Sequence, residues 1–576
     1  KIKDNIEFIR HSLAHLMAMA ITGKHPEVKL GIGPTIENGF YYDFDLSAVA
    51  LSEGGLTSEQ LPKIEKNIRE LIKQDIKFER EEISAEKAKE IFQDQPFKLE
   101  LIDELEKSGE QISIYKSGDF TDLCAGPHIE SSKEIDPDSF KLTKVAGAYW
   151  RGSEKNKMLT RIYGVAFSNK QELDDYLNMI EEAEKRDHRK LGKELGLFAF
   201  SDLVGAGLPL FTPKGAMIRN LIAEKIQKIQ KKFGYENVWI PHIAKKDLYE
   251  KSGHWDKFKD DLFHVKGKSE TEFVMKPMNC PHHTQIYASS MKSYRDLPIR
   301  FAEVTTNYRD EKPGELLGLS RVRSLTQDDG HVFCAIDQIE EEIKNIISII
   351  REFYSSLDMF KEADYWVSLS VRDPRTPEKY LGNNNHWQKA EDILEKIAKN
   401  EKLNYKKIEG EAAFYGPKLD FMFKDSLGRE WQLATIQLDF SMPERFNLEY
   451  IDKNGHPETP VMIHRAIAGS LERFMSVIIE HYAGAFPLWL SPVQAVVIPV
   501  GEKFNEYGEK VLAELKNIGI RAEMDKTNET LGKKIRANKT KKIPYLLVVG
   551  EKEEKENTVS VNARDKKEQE ILSLSQ

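Results

Sequence analysis

The sequence predicts a multidomain protein, with α+β units followed by a small α/β unit. Three observations carry that reading. The chain has 576 residues, several times what one hydrophobic core supports. Amphipathic helices such as Ile339–Tyr354 alternate irregularly with turn-punctuated, β-rich segments such as Arg429–Phe440. That pattern suits an antiparallel sheet better than a doubly wound one. From near Pro487 the order changes: strands over Ala495–Val500, Arg521–Met524 and Ile543–Val549 enclose helices over Asn505–Ile518 and Leu531–Lys539. Apolar residues make up 40% of the chain and aromatics 10%, enough to fill such cores, which excludes a mainly disordered protein.

In chain order, the first unit spans residues 1–184. It opens with apolar residues at helical spacing over Phe8–Ile21 and turns at Gly31-Ile32-Gly33-Pro34. It closes on a helix with Leu173, Tyr176, Leu177, Ile180 and Ala183 on one face. The charged run Glu184–Lys190 reads as a helical linker. The second unit covers 185–484 and the third 485–576. Lys plus Arg is 85 against 94 Asp plus Glu, a net charge of −9 that excludes a whole-chain polycation but allows a local basic patch. Three cysteines cannot form a disulfide framework and fit a reducing compartment. With no apolar signal core and no membrane-length apolar run, the chain reads as cytoplasmic, with no membrane partner.

Several clusters could carry chemistry. His11 and His15, four apart, share a helix face, and Cys124 and His128 form a second pair four apart, just after Asp122. By spacing alone these four could hold zinc, line a polar hydrolytic pocket or cap a core. Cys280, His331 and His464 offer one thiolate and two imidazoles, a donor set for catalytic zinc, at spacings too long for a sequence motif. Cys334 reads as a buried structural thiol, and Gly205-Ala206-Gly207 as a tight turn. Arg309, Glu311, Arg321 and Arg323 form either a phosphate clamp or a surface ion-pair network. Arg473 adds a cation on a helix. Lys533, Lys534, Arg536, Lys539, Lys541 and Lys542 make a basic stripe, either a nucleic-acid footprint or a solvated face.

Taken together these residues resemble the bacterial threonyl-tRNA synthetases, class II aminoacyl-tRNA synthetases, over nearly the whole chain. The resemblance rests on His11-Ser12-Leu13-Ala14-His15, Asp122–His128, Gly147–Arg151, Lys276–Cys280, Thr326–Asp329 with His331, Phe414–Lys418 and Met462–Ile467, in order and at family spacing. It implies a class II antiparallel-sheet catalytic core at 185–484, an N-terminal α+β editing domain at 1–184 and a C-terminal α/β anticodon-binding domain at 485–576. The implied reaction joins L-threonine to tRNA(Thr) through a threonyl-adenylate made with ATP and Mg2+.

The resemblance also assigns roles. Cys280, His331 and His464 would hold one zinc ion per subunit that takes the amino and hydroxyl groups of threonine. An apolar pocket separates valine from threonine only by a factor of about 10², whereas a Lewis acid that requires oxygen rejects valine. Serine carries the same hydroxyl, so a second, hydrolytic site is needed. His11, His15, Lys98, Asp122, Cys124 and His128 would form it, without metal. Arg309 would meet the α-phosphate, Glu311 the adenine amine, and Arg321 and Arg473 the distal phosphates, with Gln437 beside the nucleotide. Gln327, Asp329 and Tyr415 would complete the amino-acid pocket, with Lys418 near the adenylate. Pro241 matches the dimer-interface motif, implying a homodimer, and Asn528, Arg536 and Glu553 match anticodon-contacting positions.

The sequence departs from the family pattern in places. The family's usual small N-terminal ubiquitin-like domain has no counterpart. Leu325 stands where an aromatic usually underlies adenine, and His282 replaces a glycine beside Cys280. Leu433-Ala434 replace a small pair usually ending in glycine. Asn562 replaces a common anticodon arginine, for which Arg564 could substitute if its strand continues. The alternative function is a non-catalytic RNA-binding regulator on the same fold.

Overall fold

The computed structural model describes residues 2–48, 56–268 and 270–574. It divides into two compact units, residues 1–181 and 182–576.

The first unit is α+β. Strands Gly39–Asp45, Met158–Ala166 and Phe140–Tyr149 form its main antiparallel sheet, and Phe78–Glu82, Ser113–Ser117 and Phe120–Leu123 form a second. Helix Ile2–Thr22 buries Ile9, Leu13, Met17 and Ile21, and helix Leu61–Lys73 buries Ile64, Ile68 and Ile72. Both rows recur at three- or four-residue spacing, so each helix gives one stripe to a shared core. The same helix turn that buries Leu13 and Met17 exposes His11 to a pocket.

The second unit is built on an eight-stranded sheet, antiparallel except at its two edges. Its middle runs Ile299–Tyr308, Ser324–Cys334, Val461–Ser470, Glu430–Asp439, Lys418–Lys424. Helices Pro213–Lys231, Ile339–Ser355 and Leu471–His481 bury rows such as Ile218, Ile222, Ile226 and Ile343, Ile346, Ile350 in one core with that sheet. Behind the sheet Asp328, fully buried, accepts the Ile467 and Ala468 N–H groups and pairs with Arg465. One face of the sheet is thus sealed, and the other is left for chemistry.

The C-terminal part carries a five-stranded mixed sheet: Ala522–Met524, Ala495–Pro499, Tyr545–Val549, Thr558–Ala563, Gln569–Ser573. It belongs to the same compact unit, and its first segment buries Phe486 and Leu490 in the core of the eight-stranded sheet. Within the C-terminal part Arg521 donates to the carbonyls of Trp489 and Ser491, and Arg564 to those of Phe486 and Lys542. Those bonds correct one sequence expectation. The strand ends at Ala563, and the Arg564 guanidinium is spent on backbone carbonyls, so it is not free to contact an anticodon. The linker also differs from expectation. Its helix breaks at Asp187, which leaves helical dihedrals and caps a new helix, His188–Glu194, by accepting the Arg189 N–H.

Candidate functional site

Strand register assembles the first site. His331 pairs with His464, and His464 with Gln437, which pairs with Lys418: one row across four strands. Side chains alternate faces along a strand, so Asp329 and Ala466 lie on the same side as this row, while Asp328 and Arg465 point into the core. Cys280 begins helix Cys280–Ala288. The donor atoms of Cys280, His331 and His464 all lie within 4.8 Å of one another, and all three residues are buried. His331 Nδ1 lies 2.7 Å from His283 Nδ1, and His464 Nε2 lies 3.0 Å from Asp439 Oδ2. One nitrogen of each imidazole therefore remains for a ligand.

A cavity of about 310 Å3 opens on this face. It is lined by the three donors together with Arg309, Gln327, Asp329, Tyr415, Gln437 and Arg473, and by Leu325. Tyr415 donates to Gln437 Oε1 at 2.5 Å, Asn307 to Gln327 Oε1 at 2.6 Å, and Asn279 to Asp329 Oδ2 at 3.0 Å, so three predicted pocket residues are already oriented. Arg473 lies over the Trp431 ring, 5.9 Å from its centroid. Three predicted residues are outside the lining. Lys418 pairs with Asp420. Glu311 and Arg321 sit on the loop beyond Tyr308, bonded to each other at 2.7 Å, with Glu315 as a second partner of Arg321 at 2.9 Å. The ion-pair network weighed for these arginines is thus present.

A second cavity, of about 470 Å3, lies in the first unit. His11, His15, Lys98, Asp122 and Cys124 line it, and His128 stacks on His11 with ring centroids 4.1 Å apart. His11 Nδ1 lies 3.1 Å from the Pro127 carbonyl, which can only accept, so Nδ1 carries the proton and Nε2 is bare. That Nε2 lies 3.3 Å from Cys124 Sγ, and His128 Nε2 lies 3.4 Å from it on another side. Burial, above all, lowers the His11, His15 and His128 imidazoles below their ordinary range and pushes the Cys124 thiol up to about 12. A thiol so protonated is a poor nucleophile; the cluster is neutral and suited to orienting water. Beneath it Lys98 and Asp122, each 2% exposed, pair at 2.6 Å, and Tyr42 donates to Asp122 at 2.5 Å. Gly126 turns the chain here: its φ is +75, and a Cβ would meet the Tyr115 hydroxyl at 2.2 Å.

The anticodon candidates are spread over the C-terminal sheet's periphery. Asn528 and Arg536 are exposed, Arg536 on helix Leu531–Thr540. Glu553 accepts the Gly550 N–H at the start of its own helix, so one carboxylate oxygen is engaged. The basic stripe is thinner than its sequence. Lys534 is buried and donates to the Pro499 carbonyl, and Lys533 pairs with Glu529. Arg536, Lys539, Lys541 and Lys542 remain exposed.

Three protein families match parts of the chain: the tRNA synthetase class II core domain (G, H, P, S and T) at 263–482, the anticodon binding domain at 494–576, and the threonyl and alanyl tRNA synthetase second additional domain at 112–163. A threonine–tRNA ligase of Gloeobacter violaceus is 51% identical over 568 residues, 97% of this chain and 89% of that protein. The Thermotoga maritima threonine–tRNA ligase is 49% identical over 565 residues, 98% of this chain and 85% of that protein. The chain belongs to the threonyl-tRNA synthetase family. The crystal structure of the RNA binding domain of threonyl-tRNA synthetase from Cryptosporidium parvum Iowa II aligns at TM-score 0.64 and 39% identity, over 68% of this chain and 96% of that one. Giardia lamblia prolyl-tRNA synthetase, at TM-score 0.54 and 18% identity over 69% of this chain and 76% of that one, shares the fold alone.

Family membership leaves other groups around these sites to account for. His283 is fully buried between His331 and Glu303, whose Oε2 lies 3.9 Å from His283 Nε2. Asp439, which holds His464, is itself fixed by the Ser441 and Met442 N–H groups. Sequence reasoning missed His283, Glu303, Asp439 and Tyr42. For His283 a signal existed: it follows Cys280 by three residues in a helix, so both reach the same side. The other three are joined to the sites only by tertiary packing.

Proposed function

We propose that this chain is a threonine–tRNA ligase that activates L-threonine at the Cys280/His331/His464 face. In this reading the 1–184 domain hydrolyses mischarged seryl-tRNA, and the 485–576 domain binds the anticodon of tRNA(Thr) through Asn528, Arg536 and Glu553. One observation carries the reading: the buried Cys/His/His donors share a cavity with Arg309, Gln437 and Arg473. Three protein donors with an open position fit a catalytic zinc, and the bonds from His283 and Asp439 are the outer support such ligands need. Bound there, zinc supplies a Lewis acid for the amino and hydroxyl groups of threonine, which is the basis for rejecting valine.

The chain's own residues account for the rest. Asp329, Gln327 and Tyr415 orient the amino acid. Its carboxylate oxygen attacks the α-phosphorus of ATP, and pyrophosphate leaves with Mg2+. The Arg309 guanidinium meets the charge that develops on the α-phosphate, and Lys418 and Gln437 flank the adenylate. For Glu311 to accept from the adenine amine while Arg321 and Arg473 hold the distal phosphates, the Glu311–Arg321 pair has to open. A ribose hydroxyl of tRNA then attacks the threonyl carbonyl, and AMP leaves. A homodimer fits the exposed surface around Pro241, where Trp239 is 76% and Ile243 43% exposed. Three free cysteines fit the cytoplasm, and no described helix is long and apolar enough to cross a membrane.

Amino-acid-dependent ATP–pyrophosphate exchange tests the reading. Strong exchange with threonine, weaker exchange with serine and none with valine or proline is expected. A folded, zinc-containing protein that exchanges with none of them would be the RNA-binding regulator instead.

The editing proposal has its own test in pH. Hydrolysis needs His11 neutral so that its bare Nε2 can take a proton from water. Burial outweighs the raising pulls of the Pro127 carbonyl and Asp122 and lowers this imidazole below 6.5. The neutral form therefore persists to a lower pH than in a free histidine. Deacylation of seryl-tRNA, corrected for spontaneous hydrolysis, should fall with acid about a midpoint below pH 6.5. A decline centred at 6.5 or higher would contradict His11 as the base.

A further inference from the structure

We infer that His188 is a positioning residue for activation, fixing the turn that carries Arg321 to the helix that carries Arg473. The inference rests on the proposed roles of those arginines and Glu311 at ATP. His188 is 4% exposed, at the start of helix His188–Glu194, and no step described above uses it. The Leu319 N–H donates to its Nε2 at 3.0 Å, and its Nδ1 lies 2.7 Å from Glu480 Oε1. A backbone N–H can only donate, so Nε2 is bare and the Nδ1 proton goes to the carboxylate. Glu480 Oε1 also accepts the His188 backbone N–H, and its Oε2 accepts from Arg429 at 2.6 Å. The ring thus has one tautomer and one orientation.

The other side of the contact is shaped to match. Gly318 has φ +51, and a Cβ there would lie 2.2 Å from His188 Nε2 and 2.9 Å from Arg189 Cγ. Only glycine brings the turn this close. Leu317 and Arg321 close the turn with a pair of backbone hydrogen bonds around the fully buried Leu319. Helix Leu471–His481 holds it twice: Ser476 Oγ lies 2.9 Å from Ser320 Oγ, and Glu480, one helical turn later, acts through His188. Arg473 precedes Ser476 on the same helix. The two arginines proposed for the distal phosphates therefore share one rigid frame, and only the outer arm of the loop, where Arg321 meets Glu311 and Glu315, is left to open. Asp187, His188 and Glu480 also form a possible metal-donor group. Their donor atoms are already engaged with Arg189, Leu319, Arg429 and one another, which favours a clamp over a metal site.

Exchange kinetics on the full chain test the clamp. His188→Ala should raise the KM for ATP about tenfold, leaving the KM for threonine and the deacylation of seryl-tRNA unchanged. His188→Gln, which keeps an acceptor for Leu319, should recover most of the loss. Gly318→Ala should reproduce the ATP defect, and should cost less in the His188→Ala background, where the colliding imidazole is gone. Glu311→Gln is the control for the nucleotide assignment. If Glu311→Gln weakens ATP and His188→Ala does not, the clamp is wrong. If neither does, the nucleotide assignment fails and takes the clamp with it. Equal increases in both KM values, or additive effects of the two alanine variants, would leave His188 a general stabiliser and overturn the inference.

Discussion

Cys280→Ala is expected to abolish threonine-dependent pyrophosphate exchange, by about a thousandfold or more, while deacylation of seryl-tRNA continues at the parent rate. The argument is geometric. Cys280 is the only sulfur donor of the buried triad, and the two imidazoles that remain stand on adjacent strands, held from behind by His283 and Asp439. Alanine leaves that frame standing and removes one of the three proposed ligands, so the loss should fall on the proposed zinc and on the selection assigned to it. The deacylation pocket and its histidine cluster are built wholly from residues 7–128 and have no share in the triad. Zinc content reports the cause: it should fall from one per chain to near zero. A variant that keeps its zinc and loses exchange would show that the thiol acts otherwise. Loss of both activities would contradict separate sites.

Zinc content also tests the metal-free reading of the other cluster. His11, His15, Cys124 and His128 bring four donors within 4.8 Å of one another, as their spacing allowed. Two zinc ions per chain, one of them lost with Cys124→Ala, would make the deacylation pocket a metal site.

These two clusters show what could be read from sequence. The i, i+4 pairs were visible as pairs because a helix or a tight turn fixes their geometry locally. That Cys280, His331 and His464 belong together was not visible from spacing. It depends on the register of Ser324–Cys334 against Val461–Ser470, two strands separated by more than a hundred residues, and came only through resemblance to a family. Alternation along those strands then explains why Asp329 is in the cavity and Asp328 is not. The misreadings were local patterns overruled by tertiary partners. Lys534 shares a sequence stripe with Arg536 but lies on the buried face of its helix with Asn538, four residues on. Arg564 continues the alternation of its strand on paper, yet the Phe486 and Lys542 carbonyls claim it. Glu311 and Arg321 are legible by type as a clamp or an ion-pair network, and the choice between the two depends on how the loop folds back.

His11→Ala combined with Cys124→Ala should reduce deacylation of seryl-tRNA by about 10²–10⁴-fold and leave threonylation intact, so that seryl-tRNA accumulates when serine is supplied. These two residues are the better targets because their side chains face the cavity and carry no buried charge. Lys98→Ala would strand the Asp122 carboxylate, 2% exposed, without its cation, at a cost of about 3–5 kcal/mol to the fold. A loss of activity there could not be separated from a loss of structure. His15→Ala has a similar fault, since its imidazole lies 3.5 Å from the same carboxylate. The double variant removes the bare Nε2 and the thiol that faces it at 3.3 Å, and leaves the Lys98–Asp122–Tyr42 floor in place. The measurement is accumulation of seryl-tRNA in a serine charging assay, with threonine charging run in parallel. If misacylated tRNA stays at background while the protein remains folded, hydrolysis occurs elsewhere in the chain. If threonylation falls as well, the cavity serves the synthetic reaction too, and the division of labour proposed for the two cavities is wrong.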